Sequence, residues 1–344
     1  MEKARESVFI SAIRSFCRMF FGFCGLALAL FLVIYSYSTL TSVSSVDDKT
    51  TMNYLPDANG NQAVVSLTAP AILQLNIHGV IGEPKLLDSD TIQNILAESR
   101  TNLLAGNRVK GILIHLNTPG GTVVDSDNIY RMLKQYKEQY KVPVYAYVDG
   151  LCASGGMYIA CAADKIYAGP ASATGSVGTL IGPFFNLSDL MSKVGIASET
   201  ITAGLNKDMM SPFRPWKPGE DSSLKNLVSY FYQQFVDLVA ASRPRMDKTK
   251  LVEVYGAQIY DPVTAEQLGY VDVANASRGQ ALLDLLKEAQ IDPSALYQVV
   301  ELDAKSGWRS LLGNDFPLRG GIIQHLFGPN LHFLKNQFVY LYQP

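Results

Sequence analysis

Histidine is scarce in this 344-residue chain. There are four, His78, His115, His325 and His332, and none falls between positions 115 and 325. They are scattered, no H-E-x-x-H or Cys/His cluster occurs, and no metal site is expected from the sequence. Cysteine is equally sparse. Four residues without a C-x-x-C pair are too few for a disulfide scaffold, and all four read as small buried thiols. Charge is modest too: 17% of residues, with a net charge of −2, leave no electrostatic footprint for nucleic acid. No internal repeat of useful length is present. One segment lacks charge altogether, from Met19 to Val46.

That segment carries the apolar core "MFFGFCGLALALFLVIY" (19–35), which with its Ser/Tyr/Thr flank is long enough to cross a hydrocarbon layer of roughly 30 Å. Lys3, Arg5, Arg14 and Arg18 precede it, and Asp47, Asp48 and Lys49 follow. The positive-inside bias puts the N-terminus in the cytoplasm and the remainder across the membrane. The core is long for a signal-peptide h-region and no clear A-x-A site follows, so an uncleaved single-pass anchor is expected. The sequence therefore divides into a cytoplasmic N-terminus (1–18), a transmembrane anchor (19–37), a polar linker (38–70), a folded domain (71–300) and an apolar tail (301–344). The tail includes "GGIIQHLFGPNLHFLKNQFVYLY" (320–342), which reads as packing against the domain or against a subunit.

Within the domain, strand-like and helical patterns alternate. "AILQLNIHGVI" (71–81), "VKGILIHLN" (109–117), "VPVYAYV" (142–148) and "KIYAG" (165–169) read as strands. "SDTIQNILAESRTNLLAG" (89–106), "DSDNIYRMLKQYKEQY" (125–140, opened by Asp/Ser caps), "GGMYIACAA" (155–163) and "EDSSLKNLVSYFYQQFVDLVAASR" (220–243) read as helices. Such alternation predicts an α/β fold with a mostly parallel, buried sheet.

Three stretches carry candidate chemistry. "NTPGGTVVDS" (117–126) ends a strand on a Pro-Gly-Gly turn, where backbone N–H groups are open to close approach. By itself this is also an ordinary turn. "ASGGMY" (153–158) places Ser154 at a strand-to-helix junction, where a helix N-terminus would stabilise a developing anion. A serine there more commonly just caps the helix. Cys152, two residues earlier, is a rival nucleophile. "AGLNKDMMSPFRPW" (203–216) sets Lys207 between runs of few charges, though a lysine is usually a solvated surface residue.

Taken together, these stretches resemble the signal peptide peptidase A (SppA) family of serine–lysine proteases in its short, single-copy form. The resemblance rests on "GILIHLNTPGG", "DGLCASGGMYIACAADKIYAGPASATGSVG", "KDMMSP" and "YDPVTAEQLGYVD", and runs from about residue 71 to 300. It implies the Clp protease/crotonase-type fold of repeated ββα units. It implies Ser154 as nucleophile, Lys207 as general base, the N–H groups of Gly121 and Gly155 as oxyanion donors, and Ser176 as a hydroxyl that orients the lysine. Two positions depart from the pattern: His115 stands where an aliphatic or arginine is expected, and Tyr260-Asp261-Pro262 replaces a commoner glycine turn.

The segment after the nucleophile helix, "ASATGSVGTLIG" (171–182), holds no histidine, so the proton must leave Ser154 by another base, and lysine is the simplest supplier. To accept it, Lys207 must be held largely uncharged, and apolar burial against Met209, Met210 and Phe213 would do this. Asp208 would oppose it and is expected to point away. The function implied is a membrane-anchored endopeptidase for apolar peptides such as cleaved signal peptides, without metal or cofactor. It would be a homo-oligomer in a bacterial-type inner membrane, with the catalytic domain outside the cytoplasm. Whether the site forms within one chain or across subunits is open. The alternatives are an acyl-CoA enzyme of the crotonase-type fold, which would have no use for Lys207, and a non-catalytic scaffold binding apolar segments.

Overall fold

The computed structural model describes residues 8–43, 51–62, 68–84, 86–303 and 339–341. The chain divides into two compact units, residues 1–49 and 50–344. The first contains helix α1 (Val8–Val43). Its stretch Arg14–Val33 is long and apolar enough to cross a membrane, with a mean hydropathy of 2.1. At 36 residues the helix extends beyond the apolar core (19–35) at both ends.

The second unit opens with β1 (Thr51–Leu55), in a region whose polar composition reads as linker. The pairing that makes it a strand lies far away in sequence: β1 runs antiparallel to β9 (Gln298–Asp303), with Thr51 opposite Asp303 and Leu55 opposite Val299. Between them come β2 (Ala71–His78), α2 (Ser89–Glu98), β3 (Val109–Thr118), β4 (Gly120–Thr122), α3 (Val123–Tyr140), β5 (Val144–Ala153), α4 (Gly155–Ala160), β6 (Lys165–Ala168) and β7 (Ala173–Gly175). Then follow α5 (Ser188–Lys193), α6 (Ser222–Ser242), the single turn α7 (Lys248–Lys250), β8 (Ile259–Tyr260), α8 (Pro262–Leu268) and α9 (Arg278–Glu288). A last strand, β10 (Val339–Leu341), lies in the apolar tail. The rest of that tail, with His325 and His332, is outside the described residues.

Eight strands form one mixed sheet in the order β1-β9-β2-β3-β5-β7-β8, with β6 also on β5. The inner pairs β9–β2, β2–β3, β3–β5, β5–β6 and β5–β7 are parallel, and the flanking β1 and β8 are antiparallel. Strands β3, β4 and helix α3 make one ββα unit. Alternate side chains of β3 serve two cores. Ile112, Ile114 and Leu116 pack with Ile129, Leu133 and Phe235, whereas Leu113 packs with Tyr145, Leu282 and Leu285. A strand buried on both faces explains why the sequence there is a continuous apolar run rather than an alternation.

Helix starts follow side-chain chemistry. Asp88 accepts from the Thr91 amide and Ser277 from that of Gln280. Helix α3 begins two residues before the Asp/Ser pair. Its cap is Thr122, whose hydroxyl accepts the Asp125 amide at 3.1 Å, so Asp125 sits in the first turn, where its charge favours the helix dipole.

Arg108 ties the N-terminal ends of this sheet together. Its buried guanidinium donates to Ala69 O (2.9 Å), Leu103 O and Gln298 Oε1 (2.7 Å), joining the approaches to β2, β3 and β9. Truncation would strand these acceptors. Arg108→Ala is expected to cost about 3 kcal/mol and to lower the melting temperature of the detergent-solubilised chain by roughly 6–12 °C. A shift within a degree or two would show that water replaces the guanidinium at little cost.

Candidate active site

Strand β5 ends at Ala153, and Ser154 links it directly to α4. The connection is too short for a relaxed turn, and Ser154 adopts φ 54°, ψ −113°. This is a sparsely populated region for a residue with a Cβ, and costs of order 1–3 kcal/mol. Two backbone bonds hold it there: the Ser154 amide donates to Gly175 O (2.9 Å), and Ser154 O accepts from the Tyr158 amide (3.0 Å). Its side chain makes no capping bond to α4, which overturns the helix-cap reading of this serine. Ser154 is 1% exposed, at the head of a helix buried along its whole length.

The small residues around it are there for contact distance. A Cβ on Gly156 would lie 2.6 Å from Thr118 Cγ2, so the first turn of α4 is pressed against the end of β3. The Thr118–Cys152 pairing of β3 with β5 fixes that approach. Gly121 is tighter still. A Cβ there would lie 1.8 Å from Ile81 O, because β4 runs beside Ile81, with Thr122 N–H donating to Ile81 O and Ile81 N–H to Gly120 O. No other residue fits position 121 without moving β4, and β4 packs on α4. The strand pairing thus brings the Gly121 turn and the Ser154–Gly155 junction to one end of the sheet.

Strand β7 brings in Ser176 from the other side. Ala153 pairs with Gly175, and Ser176 follows at φ 57°, buried, its amide donating to Gln258 O at 2.7 Å.

Cys152 is fully buried between these strands. Burial holds its thiol well above the ordinary range, and pushes Cys161 up to about 12. Cys152 is therefore a protonated core residue, not a rival nucleophile.

Lys207 stands apart from the others. It lies on the loop between α5 and α6 and is exposed, so the expected apolar burial does not exist within a single chain; Phe213 is itself half exposed. The loop is nonetheless built. Arg214 donates to Asp208 Oδ2 (2.6 Å), to Asp208 O (2.8 Å) and to Glu220 Oε2 (2.7 Å), and Trp216 Nε1 donates to Ser211 O (2.9 Å). The Arg214 guanidinium lowers the pKa of both the Asp208 and Glu220 carboxyls. Asp208 is committed to Arg214. Around this loop Phe185, Leu190, Val194, Ile201 and Leu205 are exposed.

A further feature escaped the sequence reading. Strand β10 runs antiparallel along β4, with Tyr340 opposite Gly121, Leu341 opposite Gly120 and Val339 opposite Thr122. Since Gly121 also bridges Ile81, β10 lies on the opposite edge of β4, over the Gly-Gly turn. The only sequence signal was the β-branched and aromatic "FVYLY".

Comparison with known proteins decides the family. Residues 136–292 match peptidase family S49, and residues 85–174 match Clp protease. A candidate signal peptide peptidase SppA of Enterococcus faecium is 31% identical over 81% of this chain and 79% of its own length. The chain belongs to peptidase family S49. A candidate protease of Synechocystis sp. is 33% identical over 73% of this chain and 86% of its own. Among solved structures, a mutant of ClpP1 from Listeria monocytogenes aligns with a TM-score of 0.40 at 18% identity, covering 61% of this chain and 94% of that one. The resemblance to the SppA family is thereby borne out. As an S49 member the chain is a serine peptidase, which sets aside the acyl-CoA reading.

The strain at Ser154 has a measurable consequence. Glycine tolerates this backbone and alanine does not. Ser154→Gly is expected to be more stable than Ser154→Ala by about 1 kcal/mol, after the extra chain entropy of glycine is discounted. Equal melting temperatures for the two variants would mean that the junction stores no strain.

Proposed function

We propose that the protein is a membrane-anchored serine–lysine endopeptidase acting on extended apolar peptides, such as signal peptides left in a membrane after release. The observation that carries this reading is the buried, uncapped Ser154, held in a strained conformation at the head of α4. A serine that merely capped a helix would not require that backbone.

In this reading Ser154 Oγ attacks the scissile carbonyl carbon and its proton passes to the neutral amine of Lys207. The carbonyl oxygen becomes an oxyanion, received by the N–H groups of Gly121 and Gly155. Collapse of the tetrahedral adduct breaks the C–N bond, and the lysine returns the proton to the departing amine. Water then repeats the sequence on the acyl-enzyme. Ser176, beside the nucleophile through the β5–β7 pair, orients the lysine. These steps call on no metal or cofactor.

Two features support the substrate and assembly parts of the proposal. The edge of β4 accepts an antiparallel strand, as β10 demonstrates, and an extended peptide would add by the same backbone bonding. The loop that presents Lys207 carries Phe185, Ile201, Leu205 and Phe213 exposed, the character of a face covered by another copy of the chain. Homo-oligomerisation would bury Lys207 among these apolar side chains. Helix α1, with Arg14 and Arg18 on its N-terminal side, would hold the peptidase unit outside the cytoplasm of a bacterial-type inner membrane.

The full chain in detergent, incubated with an apolar peptide and read by mass spectrometry, tests this. Ser154→Ala is expected to reduce cleavage by at least ~10³-fold, and Lys207→Arg to do the same despite its retained charge. An active arginine variant would mean that Ser154 loses its proton by another route. A chain ending before Val339 leaves the β4 edge open and should show a several-fold lower KM for the same peptide. An unchanged KM would place β10 outside the peptide's path.

A further inference from the structure

His78 and His115 are 37 positions apart in sequence and have no part in the chemistry above, yet their rings meet. They lie at the carboxyl ends of β2 and β3, which pair in parallel with Asn76 opposite His115 and His78 opposite Asn117. The two histidines are thus diagonal neighbours on one face, within reach of each other for long side chains. His78 Nε2 and His115 Nδ1 are 3.1 Å apart and share a direct hydrogen bond in the metal-free chain, which an ion would have to displace, and the ring centroids are 4.8 Å apart, edge to face.

The surroundings fix His115 rather than His78. His115 stacks parallel on Tyr147 of β5, with ring centroids 5.6 Å apart and an interplanar angle of 4°. Its other nitrogen, Nε2, is buried and has no aligned hydrogen bond. The Asp149 carboxylate, 65% exposed, lies 3.4 Å from it without an aligned hydrogen bond. Asp149 nevertheless favours the tautomer with hydrogen on Nε2, which leaves the Nδ1 lone pair facing His78. A carboxylate behind the far nitrogen of an imidazole is the usual support for a metal-bound histidine.

We infer that His78 Nε2 and His115 Nδ1 form a two-imidazole site for a divalent transition-metal ion, with Asp149 as the carboxylate behind His115. The separation suits it. Two nitrogens on one ion with bonds of about 2.1 Å are about 3.0 Å apart in octahedral geometry and about 3.4 Å in tetrahedral. The observed 3.1 Å lies between these. Imidazole is a preferred ligand for zinc, copper and nickel. Among the described residues no group of three or more His, Cys, Asp or Glu is arranged around a common point, so two protein ligands and solvent would complete the shell.

Electrostatics bear on the pair from both signs. Burial lowers both histidines below their ordinary range. Asp149 favours a cation at this point. Arg278, at the start of α9, opposes one, but its guanidinium is engaged by Gln74 Oε1 (2.8 Å) and Pro56 O (3.0 Å). An ion bridging β2 and β3 would clamp the strand ends from which Gly79 and Thr118 lead into the Gly121 turn. It would raise the melting temperature because only the folded chain brings the two rings together.

The experiment uses the full chain in detergent, stripped with chelator and titrated calorimetrically with zinc chloride at near-neutral pH. One equivalent per chain is expected, with a matching rise in melting temperature. His115→Ala also loses the stack on Tyr147, so His78→Ala, at the exposed ligand, is the decisive variant. It loses its hydrogen bond to His115 and so melts somewhat lower without metal, and it should lose both saturable zinc binding and the zinc-induced rise in melting temperature. Asp149→Asn should bind about tenfold more weakly. Absence of saturable binding in the unmodified chain overturns the site. Binding that persists unchanged in His78→Ala does so too, since it would place the ion elsewhere.

Discussion

The backbone of Ser154 is the constraint on which the surrounding architecture depends. To turn from strand to helix without an intervening residue, the chain must pass through φ 54°, ψ −113°, and it is kept there by Gly175 on one side and by the first turn of α4 on the other. That first turn fits only because Gly156 lets Thr118 come close, and Thr118 is placed by the pairing of β3 with β5. Loss of any one of these parallel pairings would let the serine relax into an ordinary helix cap. The glycines at 121 and 156 answer one kind of requirement at two places: Gly121 lets β4 lie against Ile81, and Gly156 lets α4 lie against Thr118.

What could be read from the sequence was whatever local pattern determines. The apolar runs of β2, β3 and β5 and the amphipathic α3 and α6 fall where periodicity places them, with ends displaced by a few residues. The Pro-Gly-Gly turn and the small residues after Asp149 also marked the right end of the sheet. Features that depend on a distant partner were not legible. Strand β1 looks polar and irregular because its order comes from β9, at the far end of the domain. The three residues of β10 carry no more than the β-branched and aromatic character of "FVYLY", and the strand forms on the edge that β4 offers. The two histidines appear scattered because sequence separation says nothing about parallel register.

The environment of Lys207 differs for another reason. Its burial was expected because a lysine acting as base must be held uncharged, but within a single chain Lys207 and the nearby Ile201, Leu205 and Phe213 are exposed. Sequence alone does not distinguish an apolar segment that packs inside from one that awaits a neighbour. The Arg214–Asp208–Glu220 cluster does make that distinction. It braces the loop internally, so the exposed apolar surface is presented on a shaped platform rather than a loose strand.

The two buried cysteines carry a consequence of another kind. Cys152 and Cys161 bracket Ser154, and burial keeps both thiols protonated far above neutral pH. Disulfide exchange and peroxide oxidation both begin from the thiolate. A folded chain of this design can therefore sit among oxidants and disulfide-forming enzymes without mispairing, glutathionylation or sulfenic acid beside its key serine. Its window of redox vulnerability closes when α4 docks on β3.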